Sequence, residues 1–172
     1  MELDFPPTVP LPADKSIGIG CIGAGLIMAD CHLVAYRAAG LNPVAIASRS
    51  GERVRQVAER HGLRLRFDDY RKLLADRSVE VVDIAVPPDV QLSVGEEVVK
   101  HRHIRGVLAQ KPLGIDYRQA RRIVELCRDA GITIAVNQNM RFDQSVRSAK
   151  GLLDSGRMGD PVLATIDMRE IP

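Results

Sequence analysis

The chain has 172 residues, of which 45% are hydrophobic and 27% are charged, and its net charge is +2. This length suits one domain with a short appendage, and the balanced charge excludes the strongly basic surface that binds nucleic acids or membranes. Aromatic residues make up 3% of the chain and tryptophan is absent, which excludes base-stacking platforms. We therefore expect neither a nucleic acid nor a membrane as a partner.

The three cysteines form no CxxC motif. An odd number of unpaired cysteines is typical of a reducing cytoplasm, where we expect buried and unreactive thiols. Cys31 and His32 point in different directions on a helix, and His101 and His103 mark a solvated helix end. Since no further ligand stands at a zinc-like spacing, no metal site is predicted. No apolar stretch is long enough to span a bilayer.

Strand and helix patterns alternate after a proline-rich leader over residues 1–15, which lacks the basic start and apolar core of a signal peptide. Predicted strands of the first half are Ile17–Ile22, Pro43–Ala47 and Leu65–Phe67. Predicted helices are Leu26–Ala39, Glu52–Arg60 and a third that Asp68 caps and that runs through Leu74. Gly40 and Gly62 close the first two helices.

The second half continues the alternation. Predicted strands are Glu80–Val86, Gly106–Ala109, Ile132–Val136 and Val162–Met168. Predicted helices are Asp89–His101, Asp143–Leu153 and one that Asp116 caps, with Ala120, Ile123, Val124 and Cys127 on its apolar face. This order predicts an α/β fold, a doubly wound parallel sheet with helices on both faces.

The last strand, Val162–Met168, has no later partner in the sequence. It is either the first strand of a second domain or an edge strand of the same sheet. We predict a leader over 1–15, the doubly wound domain over 16–156, and the start of a truncated second domain over 157–172. The apolar face near Val162–Met168 should be exposed and should drive dimerisation or poor solubility. We expect a homo-oligomer.

Two overlapping windows fit a glycine-rich fingerprint. Gly18, Gly20 and Gly23 match the letters of G-x-G-x-x-G, but this window lies inside the first strand and no helix opens after its second glycine. The window that starts at Gly23 and Gly25 has Met28 in the third place, yet it lies between a strand and a helix, where the fingerprint needs it. We choose the second window and expect Gly18 and Gly20 to admit close neighbours of the strand.

The second window predicts a seat for a pyrophosphate. Gly23 makes the tight turn, Gly25 lets the backbone approach phosphate, and the helix then begins at Leu26 and Ile27. The first N–H groups of a helix are free and carry partial positive charge, so they bind anions.

The second strand ends without the acidic residue that binds the ribose 2′-hydroxyl of NAD. Ser48 and Arg49 stand there instead, and they suit a 2′-phosphate because a hydroxyl and a guanidinium both donate to it. Glu52 follows in the first turn of a helix, where it complements the helix dipole. The cofactor is therefore expected to be NADP or NAD, with NADP favoured.

Two further strand ends should face the same crevice, because ligands bind at the carboxyl ends of parallel strands. Val86, Pro87 and Pro88 follow the fourth strand and are expected to pack near the cofactor. Gln110 and Lys111 end the fifth strand, and the proline after Lys111 raises the odds of a cis peptide bond. A lysine held there can orient a substrate hydroxyl and assist its proton transfer.

The ordered set of motifs resembles the glucose–fructose oxidoreductase/inositol dehydrogenase/rhizopine-catabolism (GFO/IDH/MocA) family. The motifs are Gly23-Ala-Gly25, Val86-Pro-Pro88, Gln110-Lys-Pro112, the segment Asn137-Gln-Asn139-Met-Arg141-Phe142, and Gly156-Arg-Met-Gly159. The resemblance implies a Rossmann domain, followed in the family by a C-terminal α/β domain that is missing here, and hydride transfer between NAD or NADP and sugars, polyols or related carbonyl compounds. It also implies that Lys111 is the catalytic or substrate-orienting lysine. The family's Asn-x-Arg element matches Asn139 and Arg141, which the resemblance places near the nicotinamide or at the domain junction.

Three positions depart from the family pattern. Gln110 stands where the family has glutamate, Gln91 where it often has histidine, and Met28 where the third glycine belongs. Family members are longer and have a second domain that supplies the aspartate and histidine of the substrate pocket. We therefore expect the cofactor-binding half of an NAD(P)-dependent oxidoreductase, and the alternative is a non-catalytic dinucleotide-binding regulator or interaction module.

Overall fold

The computed structural model describes residues 9–167. Six strands form one sheet: β1 (Gly18–Ile22), β2 (Asn42–Ala47), β3 (Leu65–Phe67), β4 (Val81–Ile84), β5 (Gly106–Gln110) and β6 (Thr133–Asn137). Their order is β3-β2-β1-β4-β5-β6, and every neighbouring pair is parallel. This is the doubly wound order of a Rossmann fold, with a crevice at the carboxyl ends where the strand order reverses.

The helices follow the predicted alternation. A π-helical segment, Ile27–His32, continues into α1 (Leu33–Ala38), and then come α2 (Gly51–His61), α3 (Tyr70–Ala75), α4 (Pro88–Val98), α5 (Tyr117–Asp129) and α6 (Gln144–Asp154). A short 3-10 helix, Asn139–Phe142, lies between β6 and α6. The helices have ordinary start and stop signals, such as Ser50 as the N-cap of α2 and Gly62 in a left-handed conformation at its end.

Two buried apolar clusters cover the two faces of the sheet. The first contains Leu73 and Leu74 of α3, Val94 of α4 and Ile123 of α5. The second contains the π-helical segment, α1 and α2, with Met28 among its fully buried side chains. The central strands β1 and β2 are therefore buried and apolar on both sides, as strands inside a parallel sheet are. β4 also contains the buried Asp83, and β6 is partly exposed.

The chain divides into two compact units by its internal contacts. The larger unit, Leu11–Asn137, contains the whole sheet. The other unit includes the 3-10 helix and α6. The predicted domain boundaries at 15/16 and 156/157 stay predictions.

Four details of the prediction were wrong. Asp69, not Asp68, caps α3 by accepting the Arg71 N–H at 2.9 Å, while Asp68 pairs with Lys72. Val124 is 42% exposed, because it lies beside rather than on the buried stripe of α5. Of Val162–Met168, residues 162–167 form no strand, and Met168 lies outside the described residues. The fourth is Cys31, which is exposed although buried thiols were expected.

The segment after α6 nevertheless exposes apolar side chains. Val162 is 98% exposed, Leu163 86% and Ile166 85%. Within residues 9–167 no strand pairs with this segment, and strand propensity without a pairing partner does not make a strand. The expected homo-oligomer stays a prediction.

Candidate dinucleotide-binding site

Gly23 occupies a backbone position that only glycine fits. Its φ is +106°, and a Cβ there would lie 2.3 Å from the Ala85 carbonyl oxygen. Its N–H donates to the Ala47 carbonyl at 2.8 Å, which fixes the turn at the end of β1 against β2. The residue therefore makes the tight turn that the second window requires.

Gly18 and Gly20 lie within β1 and serve packing. A Cβ on Gly18 would lie 1.8 Å from the Ser78 carbonyl oxygen, and one on Gly20 would lie 2.6 Å from a methyl carbon of Val79. Both glycines admit close neighbours, as predicted. The letter match that begins at Gly18 is therefore part of the strand, and the turn begins at Gly23.

Gly25 differs from these three glycines because the space around it is open. A Cβ at this position would meet no heavy atom within 4 Å. The helix begins directly after it, and Leu26 is 70% exposed and Ile27 40% exposed. The first N–H groups of the helix have no partner within it, so the turn offers donors and open space together, which is the cradle that a pyrophosphate needs.

Met28 and a wide helical turn occupy the place of the third fingerprint glycine. The Met28 side chain is fully buried in the second apolar cluster. The Leu33 N–H donates to the Met28 carbonyl, one residue further back than in an α-helix. Met28, which replaces the third glycine of the fingerprint, therefore packs into the core and does not fill the open space beside Gly25.

The end of β2 presents one unpaired cation. The Ser48 N–H donates to the Phe67 carbonyl at 3.2 Å, and the Ser50 side chain accepts the Arg53 N–H at the start of α2. Within residues 9–167, the Arg49 side chain is exposed and has no hydrogen-bond or ion-pair partner. Glu52 accepts from the Gln56 amide along the helix at 3.1 Å, in the first turn of α2.

A groove of about 360 Å³ lies between the start of α2 and the end of β3. The sequence did not predict it. The residues that line it include the basic Arg55, Arg66 and Lys72, the acidic Asp68 and the aromatic Phe67. Arg66 faces Glu59 at 3.4 Å, and Lys72 faces Asp68 at 2.7 Å. The Ser48–Phe67 hydrogen bond joins this groove to the end of β2, so the surroundings of Arg49 carry several basic groups.

Gln91 makes contacts at the edge of the candidate site that the sequence analysis did not foresee. It is 1% exposed, and its amide nitrogen donates to the carbonyls of Gln110 at 2.9 Å and Pro112 at 3.1 Å. A third carbonyl, that of Val86, lies at 3.4 Å. The side chain therefore joins the ends of β4 and β5 on both sides of Lys111. The only sequence feature that could have indicated these contacts is that Gln91 stands where the family often has a histidine.

Lys111 leads out of β5 on a defined backbone. The Lys111–Pro112 peptide bond is cis, as predicted. The Lys111 N–H donates to the side-chain oxygen of Gln110 at 2.8 Å, a bond for which an uncharged amide suffices. The Lys111 side chain is exposed, and its ammonium group has no partner among the described residues, so it is available to a ligand.

The remaining predicted residues lie in two places. Pro87 and Pro88 begin α4, with Pro88 as its first residue, and Val86 is partly buried against the first apolar cluster. Because β1, β2, β4 and β5 are parallel, Gly23, Ser48, Val86 and Gln110 follow strands that end at one edge of the sheet. Asn139 lies in the exposed 3-10 helix of the other unit, and its role stays a prediction.

Other kinds of site have little support in residues 9–167. No group of three or more metal-ligating side chains occurs there, and no helix in that range is long and apolar enough to cross a membrane. Burial raises the pKa of the Cys21 and Cys127 thiols, which keeps both protonated and unreactive. The fold and the glycine turn thus define a Rossmann domain of the dinucleotide-binding class.

The chain belongs to the GFO_IDH_MocA family, described as an oxidoreductase family with an NAD-binding Rossmann fold, whose model matches residues 17–138. It is 28% identical to a D-apiose dehydrogenase of Rhizobium rhizogenes over 76% of this chain and 37% of that protein. The chain spans less than half the length of this protein and of other curated relatives that it matches.

Two solved structures are similar. An oxidoreductase from Agrobacterium radiobacter, in complex with NAD+, L-tartaric acid and magnesium, is 26% identical with a TM-score of 0.79, over 85% of this chain and 42% of that one. A 3-ketoreductase from Actinomadura kijaniata, in complex with TDP-benzene and NADP, is 28% identical with a TM-score of 0.73, over 81% and 42%. Relatives of this chain thus bind either nicotinamide dinucleotide.

Proposed function

We propose that this chain binds NADP on the turn at Gly23 and Gly25 and forms the cofactor-binding half of an oxidoreductase. The substrates would be sugars, polyols or related carbonyl compounds. The observation that carries the proposal is the contrast between the two glycines. The positive φ of Gly23 and the nearby Ala85 carbonyl require glycine there, whereas Gly25 lies at a helix start with no heavy atom near its Cβ position. Nothing in the packing requires glycine at position 25, but an approaching phosphate does.

Titration of the chain with NADPH and with NADH, followed by nicotinamide fluorescence, tests this proposal. We expect saturable binding of both, with NADPH bound more tightly. Failure to detect either at millimolar concentration would contradict the proposal.

The preference for NADP rests on Arg49. We expect Arg49→Ala to weaken NADPH binding roughly 10- to 100-fold, because a charge-assisted hydrogen bond contributes about 1.5–3 kcal/mol. NADH, which lacks the 2′-phosphate, should bind Arg49→Ala and the wild type alike. The measurement is the dissociation constant of each dinucleotide.

Arg118→Ala, which removes an exposed arginine on α5, is the matched control and should change neither constant. If Arg49→Ala weakened NADPH and NADH binding equally, Arg49 would contact a group that both dinucleotides contain and not the 2′-phosphate.

Lys111 is the residue proposed to meet the substrate. When bound, the nicotinamide supplies or accepts the hydride. The ammonium group of Lys111 is free, and the backbone on both sides of it is held by Gln91. It can therefore hold the substrate oxygen in place and give or take the proton at that oxygen.

We expect Lys111→Met to lower hydride transfer by about 10²- to 10⁴-fold, the usual contribution of a positioned acid or base. NADPH affinity should stay within the experimental error. The assay follows NADPH oxidation with a panel of sugars and their keto forms, in a version of the protein that carries a second domain. Unchanged turnover in Lys111→Met would remove this residue from the mechanism.

A non-catalytic dinucleotide-binding module is the second candidate. The neutral Gln110 beside Lys111 favours it, because the family's glutamate supplies a charge there. If the same two-domain version binds NADPH tightly but transfers no hydride over the whole panel, this second function replaces the first.

A further inference from the structure

A buried hydrogen-bond network lies under the carboxyl edge of the sheet, and neither the fold nor the proposed chemistry uses it. His32 Nδ1 lies 2.7 Å from Asp83 Oδ2, and the Tyr36 hydroxyl donates to the same oxygen at 2.6 Å. The Asn137 amide nitrogen lies 2.8 Å from His32 Nε2. His32 is 8% exposed and Asp83 1% exposed.

The partners determine which atom donates in each bond. A carboxylate accepts, so Nδ1 of His32 carries the proton, and Nε2 is then free to accept from Asn137. Burial, and then the charge of Asp83, raise the pKa of Tyr36 well above its ordinary value, so its hydroxyl remains a donor. Each contact is therefore satisfied by a neutral imidazole.

The network connects two parts of the candidate site. His32 lies on the helix that begins at the glycine turn. Asn137 is the last residue of β6 and pairs directly with Gln110, the residue before Lys111. One side-chain hydrogen bond, between His32 and Asn137, therefore links the helical segment after the glycine turn to β6, and backbone strand pairing links Asn137 to the strand end beside Lys111.

Stability alone does not explain this arrangement. Asp83 Oδ1 is buried and has no hydrogen-bond partner among the described residues. A buried acceptor without a partner lowers stability, and apolar side chains of similar shape would avoid that loss. The network thus includes one buried oxygen that the fold does not satisfy, and a role beyond packing would account for it.

We propose that His32 is a positioning residue that couples a dinucleotide on the glycine turn to the carboxyl ends of β5 and β6. The two states differ in whether the His32–Asn137 bond is made, and the bound dinucleotide favours the bonded state by restraining the start of the helix. Binding then orders Asn137, Gln110 and Lys111 before a substrate arrives. This inference rests on the proposed function, since it requires that NADP binds.

Hydrogen–deuterium exchange of the full chain with and without NADPH tests the coupling. In the wild type we expect NADPH to slow exchange at residues 25–27 and, by about fivefold or more, at the ends of β5 and β6. In Asn137→Ala and His32→Leu, the slowing at residues 25–27 should remain while that at the strand ends disappears. Because coupling is reciprocal, the NADPH affinity of both variants should fall by the factor by which NADPH slows exchange at the strand ends of the wild type.

Two further variants separate positioning from a merely structural role. Tyr36→Phe removes a buried bond to Asp83 but leaves the His32–Asn137 path, so it should keep the slowing at the strand ends. His32→Gln keeps one donor and one acceptor and should restore part of it. Asn137 is only partly buried, so Asn137→Ala tests the path even if His32→Leu does not fold.

The outcomes distinguish the two proposals. Slowing at residues 25–27 without any at the strand ends in the wild type would overturn the coupling alone. Equal loss of strand-end slowing in Tyr36→Phe and Asn137→Ala would also overturn it. An absence of slowing at residues 25–27 in the wild type would overturn NADP binding itself.

Discussion

Replacing Gly23 by alanine is expected to destabilise the protein by about 3 kcal/mol, from roughly 1–3 kcal/mol of backbone strain and 1–3 kcal/mol of overpacking. The φ of +106° is unfavourable for any residue with a Cβ. The added carbon would also lie 2.3 Å from the Ala85 oxygen and 3.0 Å from its carbonyl carbon, and both are backbone atoms of the segment after β4. Urea unfolding should show a lower midpoint with little change in slope.

Gly25→Ala is the matched variant at the other end of the turn. No heavy atom lies within 4 Å of its Cβ position, so we expect a change in stability within about 0.5 kcal/mol. NADPH affinity should nevertheless fall about tenfold or more, a loss of about 1.4 kcal/mol, because the methyl group occupies the space of the phosphate. Unchanged NADPH affinity in Gly25→Ala would contradict the phosphate cradle, whatever Gly23→Ala does.

Gln91→Glu is the second substitution with a large expected effect. The change keeps the shape of the side chain but replaces the amide donor by a carboxylate that faces the carbonyls of Gln110, Pro112 and Val86. An uncompensated buried charge costs about 3–5 kcal/mol, so we expect a loss of this size at neutral pH. Thermal or urea unfolding measures it.

The pH dependence of Gln91→Glu gives a second test. Burial and the facing carbonyls raise the pKa of the introduced carboxyl group in the folded state above its unfolded value. The unfolded state then loses this proton more readily, so the deficit grows as pH rises above the unfolded pKa and shrinks as pH falls toward it. If the loss of unfolding free energy in Gln91→Glu were constant between pH 5 and 8, the side chain at position 91 would not be buried against carbonyls that need a donor.

Two controls accompany this variant. Gln144→Glu makes the same chemical change at the exposed first residue of α6 and should alter stability by no more than about 0.5 kcal/mol. Gln91→His keeps a ring N–H donor and should recover part of the loss. If Gln91→Glu were as stable as Gln144→Glu, the three carbonyl contacts would not hold the strand ends.

The sequence predicted the glycine turn and the local backbone correctly where the signal is local, whereas the roles of the site residues stay predictions. The choice between the two glycine windows depended on where the apolar run stops, and both Gly18 and Gly20 lie inside β1. The cis bond before Pro112 was suggested by residue type alone. Arg49 was predicted to bind a 2′-phosphate because no acidic residue stands at the end of the second strand, and this role stays a prediction.

Prediction failed where neighbours in space decide. Asp68 and Asp69 are equally good caps by residue type, and backbone geometry selects Asp69. The apolar run at residues 162–167 has strand propensity but no strand edge to pair with in the described structure, and propensity without a partner does not make a strand. Val124 matched the helical period and still faces solvent, because the stripe that packs on the sheet is narrower than the pattern.

By itself, the sequence determined the order of strands and helices, the parallel α/β class and the position of the glycine turn, because these depend on periodicity and on conformations that glycine alone adopts. Only the tertiary structure decided what Gln91 and His32 do. Gln91 contacts carbonyls 19 and 21 residues away, and His32 contacts Asp83 and Asn137 across 51 and 105 residues. A side chain's hydrogen-bond partners are set by which strands become neighbours, and no local pattern in the chain encodes them.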